Sequence, residues 1–304
     1  MFDQTADTRI RNAVFVWLAR QAEKHPHALP RDLLLQGLEM DGRRVPLLSA
    51  QGIFKPAVME LPLSITTSPK SPYNDAFEGD DLLSYRYRGA DPFHRDNVGL
   101  REAMRRRLPL VYFHGLVPSR YAAIWPVYVI GDDPARLTFQ VAADDARAFS
   151  PAQPAGATAS EDATDIRRRY ITTTVRRRLH QGAFRERVLG AYRHQCAFCR
   201  FKHDELLEAA HITPDSHERG EPVVSNGLSL CTLHHAAFDH GFIGVRPDLV
   251  LIVRPDILAE SDGPTLKHGL QGLHEERITV PRRADWRPET KRLEERFRRF
   301  LEGA

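Results

Sequence analysis

Cysteine is scarce in this chain. Three residues, Cys196, Cys199 and Cys231, serve 304 positions. No disulfide framework is therefore expected, and a reducing compartment, the cytoplasm, is. Long apolar runs are missing too: nothing approaches the roughly 18 consecutive apolar residues of a membrane span, and no membrane partner is expected. The opening MFDQTADTRIRNAVFVWLARQ lacks the basic-then-apolar layout of a secretory leader, since charges cross its apolar stripe. There is no internal repeat and no nucleotide-binding glycine loop. One-signed charge is also lacking. Forty-three basic against 40 acidic residues leave a net +3, too little to argue a polyanionic partner by itself. The 42% apolar and 27% charged content is that of a globular protein, and the length suits two domains.

What the chain does have is concentrated between Cys196 and Gly241. Cys196 and Cys199 form a C-x2-C knuckle, and Cys231 with His234 forms a C-x2-H knuckle. Two knuckles of matched spacing make a four-donor set of the kind that Zn2+ takes tetrahedrally, so a structural zinc is expected. His211 stands in the run LLEAAHI, Asn226 follows it, and His235 and Asp239 lie four residues apart. Residues i and i+4 share a helix face, so His235 and Asp239 can hold one divalent cation between them.

The pattern C-x2-C, A-H-I, N-G-L-x-L-C-x2-H-H-x3-D, from about residue 184 to 245, resembles the HNH (ββα-metal) nucleases with a zinc-stapled core. The resemblance implies that His211 is the general base, a role suited to a side chain that titrates near neutrality. It implies that Asn226 fixes the hairpin and orients that base, and that His235 binds a catalytic metal, Mg2+ or Mn2+. Many family members carry a ligand just before the first histidine, where this chain has Ala210. The remaining ligand is then Asp239 or, in reserve, His240.

In chain order, residues 5–24 read as an amphipathic helix with Ile10, Val14, Trp17 and Leu18 on one stripe. Pro30 opens a short helix, and a strand pair punctuated by glycine and proline follows. Residues 57–68 read as extended. Tyr73 and Asp75 then fall on a loop, with Tyr85 and Tyr87 on the strand after it. Two aromatic plates and a carboxylate suit a flipped cytosine, although strand tyrosines are more often packing pairs. A helix in DNVGLREAMRRR and three strands to about residue 145 come next. Residues 30–145 resemble an SRA-type domain, a curved β-barrel that extrudes modified cytosine. That resemblance implies that Tyr73 and Tyr87 sandwich the base and that Asp75 reads its edge, with Asp80 or Asp81 as the alternative acid.

Residues 150–165, rich in Ala, Pro, Ser and Thr, read as a flexible tether. A basic segment and a helix over 183–192 lead into the first knuckle. Arginine runs at 105–107, 167–169 and 176–178 are candidate phosphate contacts. After Gly241 come two short strands, with Arg246 near the metal residues, and the last segment is an amphipathic helix carrying Leu293, Phe297, Phe300 and Leu301.

The expected architecture is α+β, with an SRA-like recognition domain over 1–149, the tether over 150–165 and an HNH domain over 166–304. The expected activity is that of a modification-dependent restriction endonuclease acting on duplex DNA that contains 5-methyl- or 5-hydroxymethylcytosine. One HNH site cuts one strand, so a homodimer is expected. The alternatives are an HNH nickase whose N-terminal domain senses another ligand or partner, and a non-catalytic DNA-binding protein.

Overall fold

The computed structural model describes residues 3–68, 77–78, 82–143, 161–261 and 263–303, with backbone alone at 77–78, 82, 161–173 and 176. The chain divides into two compact units, Met1–Gly182 and Ala183–Ala304. Among the described residues no helix is long and apolar enough to cross a membrane.

The first unit opens on α1 (Gln4–Lys24), started by Asp3, whose carboxylate accepts from the amides of Thr5 and Ala6 at 3.0 Å each. Ile10, Val14 and Leu18 bury the expected stripe. Arg11, on the same helix, is 1% exposed; it pairs with Asp7 at 2.6 Å and donates to the carbonyls of Pro62 and Pro109. A buried guanidinium is tolerated because the charge is matched and its donors are used.

Next come β1 (Leu29–Pro30), α2 (Arg31–Gln36), β2 (Leu38–Met40) and β3 (Arg43–Val45). The last two form a hairpin turned at Asp41 and Gly42, both at positive φ. The sheet strands β4 (Ile53–Phe54), β5 (Ser64–Thr67), β6 (Phe77–Glu78) and β7 (Leu82–Arg86) precede α3 (Arg95–Arg105). They are completed by β8 (Leu110–Val117), β9 (Arg120–Asp133) and β10 (Thr138–Ala143). The order is β4-β5-β8-β9-β10-β7-β6, with β1 on β9, and only β5–β8 is parallel. Both sheet faces are covered. Along β8, Val111 and Phe113 enter the core under α1, while Leu110 and Tyr112 enter the core shared with Leu100 of α3 and Phe139 of β10. Among the described residues β4 and β6 stay as edges, so the expected curved barrel is present as a curled half-barrel sheet.

The helix α4 (Glu161–Ala191) begins far earlier than the expected residue 183. Residues 161–165, assigned to the tether, are helical, and 150–160 lie outside the described residues. The division between the units falls within this helix, at 182/183.

In the second unit the end of α4 leads to β11 (Leu207–His211), β12 (Gly227–Cys231) and α5 (Thr232–Asp239), an antiparallel hairpin followed by a helix. A second hairpin, β13 (Ile243–Val245) with β14 (Leu251–Val253), then α6 (Pro255–Ala259), α7 (Pro264–Gly269) and α8 (Thr290–Glu302) close it. Phe184 and Val188 of the α4 end and Tyr192 just beyond it share one core with Leu228, Leu230, Phe238, Ile243 and Leu293. That core seats the hairpin and α5 against each other.

Candidate active site and zinc centre

The two knuckles meet. Donor atoms of Cys196, Cys199, Cys231 and His234 all lie within 4.8 Å of one another. Nδ1 of His234 is 3.5 Å from Sγ of Cys196 and 3.2 Å from Sγ of Cys231. A tetrahedral zinc with Zn–S of about 2.3 Å and Zn–N of about 2.0 Å needs S···N edges of roughly 3.5 Å. The set fits that ion. Nε2 of His234 lies 2.7 Å from the carbonyl of Gly269, which leaves Nδ1 as the ligand atom. The thiols are crowded enough to share protons: hydrogen bonds from Cys196 and Cys199 push Cys231 down, while those with Cys196 and Cys231 push Cys199 up.

His211 ends β11 and Asn226 immediately precedes β12, so the hairpin register brings them to the same end. Asn226 is fully buried. Its Oδ1 accepts from the Thr213 amide at 2.8 Å, and its Nδ2 donates to the carbonyls of Thr213 at 3.0 Å and Glu221 at 3.1 Å. The loop leaving His211 is thereby tied down at both ends. The His211 ring stacks on Phe184 at 4.1 Å, and its Nε2 is buried with no partner among the described residues. Burial holds its pKa below the ordinary histidine value; Asp215 and Asp239 oppose that shift and His235 adds to it. The imidazole is therefore neutral at neutral pH, the form a proton acceptor needs. Gly227 makes the stacking possible. A Cβ there would lie 2.5 Å from Val188 and 2.9 Å from the Phe184 ring.

His235, on α5, sits between two carboxylates. Its Nδ1 contacts Glu208 of β11, and its Nε2 is 3.2 Å from Oδ2 of Asp239. Asp239 first and Glu208 next raise the histidine's pKa against the effect of burial, while His235 lowers that of Asp239. An octahedral cation with arms of about 2.1 Å has adjacent ligands roughly 3.0 Å apart, so the Nε2–Oδ2 pair fits two neighbouring corners. His240, the reserve ligand, lies against Phe242 instead.

Glu208 and Arg296 were not singled out from sequence. Glu208 is the one charged residue in Leu206–Ile212, a signal that was available. Arg296, which donates to Asp239 at 3.1 Å from 57 positions away, left none. Arg246 pairs with Asp248.

In the first unit Tyr73 and Asp75, and the alternatives Asp80 and Asp81, lie outside the described residues. Tyr87 is 7% exposed and packs on Phe139 with centroids 4.5 Å apart. Its hydroxyl contacts Asp132 and accepts from Arg101 at 3.1 Å. Tyr87 thus packs in the core, because strand alternation turns residues 83, 85 and 87 inward. Of the arginine runs, Arg105 and Arg106 both pair with Glu102, whereas Arg177 and Arg178 are exposed.

Residues 196–246 match the family described as HNH endonuclease. No curated protein matches the chain. Among solved structures, the modification-dependent TagI restriction endonuclease is similar at 15% identity and a TM-score of 0.29, over 79% of this chain and 81% of that one. The type IV phosphorothioation-dependent restriction endonuclease ScoMcrA is similar at 15% identity and a TM-score of 0.21, over 58% and 45%. Likenesses this loose define neither fold nor substrate. The HNH match makes residues 196–246 a domain of a metal-dependent DNA endonuclease.

Proposed function

We propose that the protein is a modification-dependent restriction endonuclease. In this reading the first unit recognises 5-methyl- or 5-hydroxymethylcytosine in duplex DNA by flipping the base, and the HNH domain hydrolyses a phosphodiester. The observation that supports the nuclease part is the ββα unit, in which His211, at the end of a hairpin tied down through Asn226, feels the charges of His235 and Asp239.

His211 takes a proton from water as the water oxygen bonds to phosphorus, and the bond from phosphorus to the leaving oxygen breaks. Asn226 holds the loop that fixes the direction of that proton transfer. Glu208 accepts from Nδ1 of His235 and keeps Nε2 aimed at Asp239. His235 and Asp239 would hold a Mg2+ or Mn2+ ion, which would supply charge stabilisation at the scissile phosphate and leaving oxygen. Cys196, Cys199, Cys231 and His234 would hold a zinc ion that would staple the loop after α4, the hairpin and α5 together.

The curled sheet of the first unit supports the recognition reading, with Tyr73 and Asp75 as the remaining candidates for the base pocket. Cleavage of one plasmid in unmodified, 5-methylcytosine and 5-hydroxymethylcytosine forms tests it. Cutting confined to a modified form is the expected result. Equal cutting of all three keeps the nuclease and discards the modified-base reading in favour of a nickase with another sensor. No cutting by the zinc-loaded protein moves the assignment to a DNA-binding protein.

A further inference from the structure

The C-terminal helix α8 carries two covered arginines one turn apart, of which Arg296 alone contacts a metal-site residue, Asp239. Residues i and i+4 share a face, so Arg292 and Arg296 project from the same side of the helix. Both are largely covered, at 15% and 16% side-chain exposure, although they lie on a helix otherwise rich in exposed charge. Arg292 pairs with Glu221 at 2.8 Å, and the Glu221 carbonyl accepts from Asn226. Arg296 donates to the carbonyl of Phe238 at 3.0 Å and to Oδ1 of Asp239 at 3.1 Å, and its guanidinium lies 4.3 Å from the Phe238 ring centroid. The helix itself is firmly seated. Leu293 is fully buried, and Phe300 fills the space a Cβ on Gly244 of β13 would need, 2.7 Å away.

Asp239 is the last residue of α5. A helix C-terminus carries partial negative charge, so an aspartate there is disfavoured and its side chain has no intrinsic reason to point back along the helix. Arg296 answers both problems at once. It neutralises the carboxylate, and by occupying Oδ1 it leaves Oδ2 turned toward Nε2 of His235. Glu208 does the corresponding work on the other side of His235.

From this geometry we infer that Arg296 is a positioning residue of the catalytic cation site, so that α8 is part of the nuclease machinery and not only a closing layer of the core. The inference rests on Asp239 being a cation ligand, as proposed above. Loss of Arg296 frees the carboxylate to rotate, and the cation then meets one preset ligand where it had two.

The test is Mn2+ titration of the full-length, zinc-loaded protein, reading free Mn2+ by electron paramagnetic resonance and checking folding by thermal melting. Arg296→Ala is expected to weaken Mn2+ binding about 10-fold or more, in the range reported for ligand-orienting groups. Arg296→Lys, which keeps the charge and the stem over Phe238, is expected to recover part of that loss, and it carries the test if the alanine variant does not fold. Arg292→Ala is expected to lower the melting temperature without changing Mn2+ affinity. In an Asp239→Ala background, Arg296→Ala is expected to have no further effect. Wild-type Mn2+ affinity in folded Arg296→Ala, beside a clear loss in Asp239→Ala, overturns the inference and leaves the metal reading standing. Equal loss in Arg292→Ala and Arg296→Ala also overturns it, because the effect is then general loosening of α8. Wild-type affinity in Asp239→Ala overturns the metal reading itself.

Discussion

In the proposed mechanism His211 is the residue on which the chemistry turns, and its surroundings set its behaviour. Stacked on Phe184 and partly desolvated, it holds its proton less tightly than a free histidine. Its loss should therefore remove a proton acceptor and leave binding intact. His211→Ala is expected to lower cleavage about 10²- to 10⁴-fold with zinc content and DNA affinity retained, as measured by single-turnover assays and a binding isotherm. The pH dependence follows in sign. A depressed pKa means the base form persists below the ordinary histidine value and is lost only on further acidification. The acid limb of single-turnover cleavage should then fall below about pH 6.5. A limb centred above that value would assign the titration to another group. At this scale the sequence was most informative where spacing is local. Within each knuckle and within the i, i+4 pair the residues are a few positions apart, so chain geometry alone brings those neighbours together. Glu208 and Arg296 meet His235 and Asp239 from 27 and 57 positions away, and only tertiary packing makes those contacts. The burial of Tyr87 was illegible for another reason. A period-2 pattern shows which residues share a face but not which face is covered.

Elements carry the next set of consequences. The end of α4 packs on the hairpin through Gly227, where a methyl group would collide with Val188 and Phe184. Overpacking of a filled core costs about 1–3 kcal/mol, and here the displaced ring is the one under His211. Gly227→Ala should lower the unfolding midpoint of the zinc-loaded protein by that order and reduce cleavage as well. A variant with an unchanged midpoint would show that α4 can give way. In the sheet of the first unit, His114 of β8 hydrogen-bonds Tyr112 at 2.9 Å and Thr67 at 3.2 Å, and burial with a smaller contribution from His180 pushes its pKa down to about 4. The unfolded chain takes up this proton near pH 6.5, the folded chain only near pH 4. Stability is thus full above the higher value and declines as pH falls between the two, by up to about 3 kcal/mol. Denaturant midpoints near pH 7 and pH 4.5 should differ in the wild type and differ less in His114→Gln. An equal difference in both would place the titration elsewhere. Element type was mostly legible: α1, α2, α3, the hairpin at Asp41–Gly42 and α8 follow from stripes, caps and turn residues. The start of α4 was not, because IRRRYITTTVRRRL shows no clear apolar stripe to mark a helix. Closure of the sheet was also illegible, since strand patterns do not reveal whether two edges meet.

For the whole molecule, the net charge of +3 says little, while the distribution of partners says more. Arg105 and Arg106 are committed to Glu102, so the run at 105–107 is a weaker phosphate tracker than its composition suggests. The family match covers one HNH domain, at 196–246, and in the proposed mechanism its single set of His211, His235 and Asp239 cuts one phosphodiester. Cutting both strands thus takes either two chains on one target or two successive visits by one chain. The two routes differ in what a dead partner does. If two chains act together, wild type mixed with excess His211→Ala should convert supercoiled plasmid to the nicked circle and stop there, because each mixed pair has one working site. If single chains act in turn, the nicked circle should pass on to linear DNA, more slowly but completely. The proposed homodimer predicts the first outcome, together with a ratio of linear to nicked product that rises with protein concentration and a sedimenting species of twice the chain mass on modified DNA. Passage of the nicked circle to linear DNA in the mixture, with no such species, would establish successive nicking by a monomer.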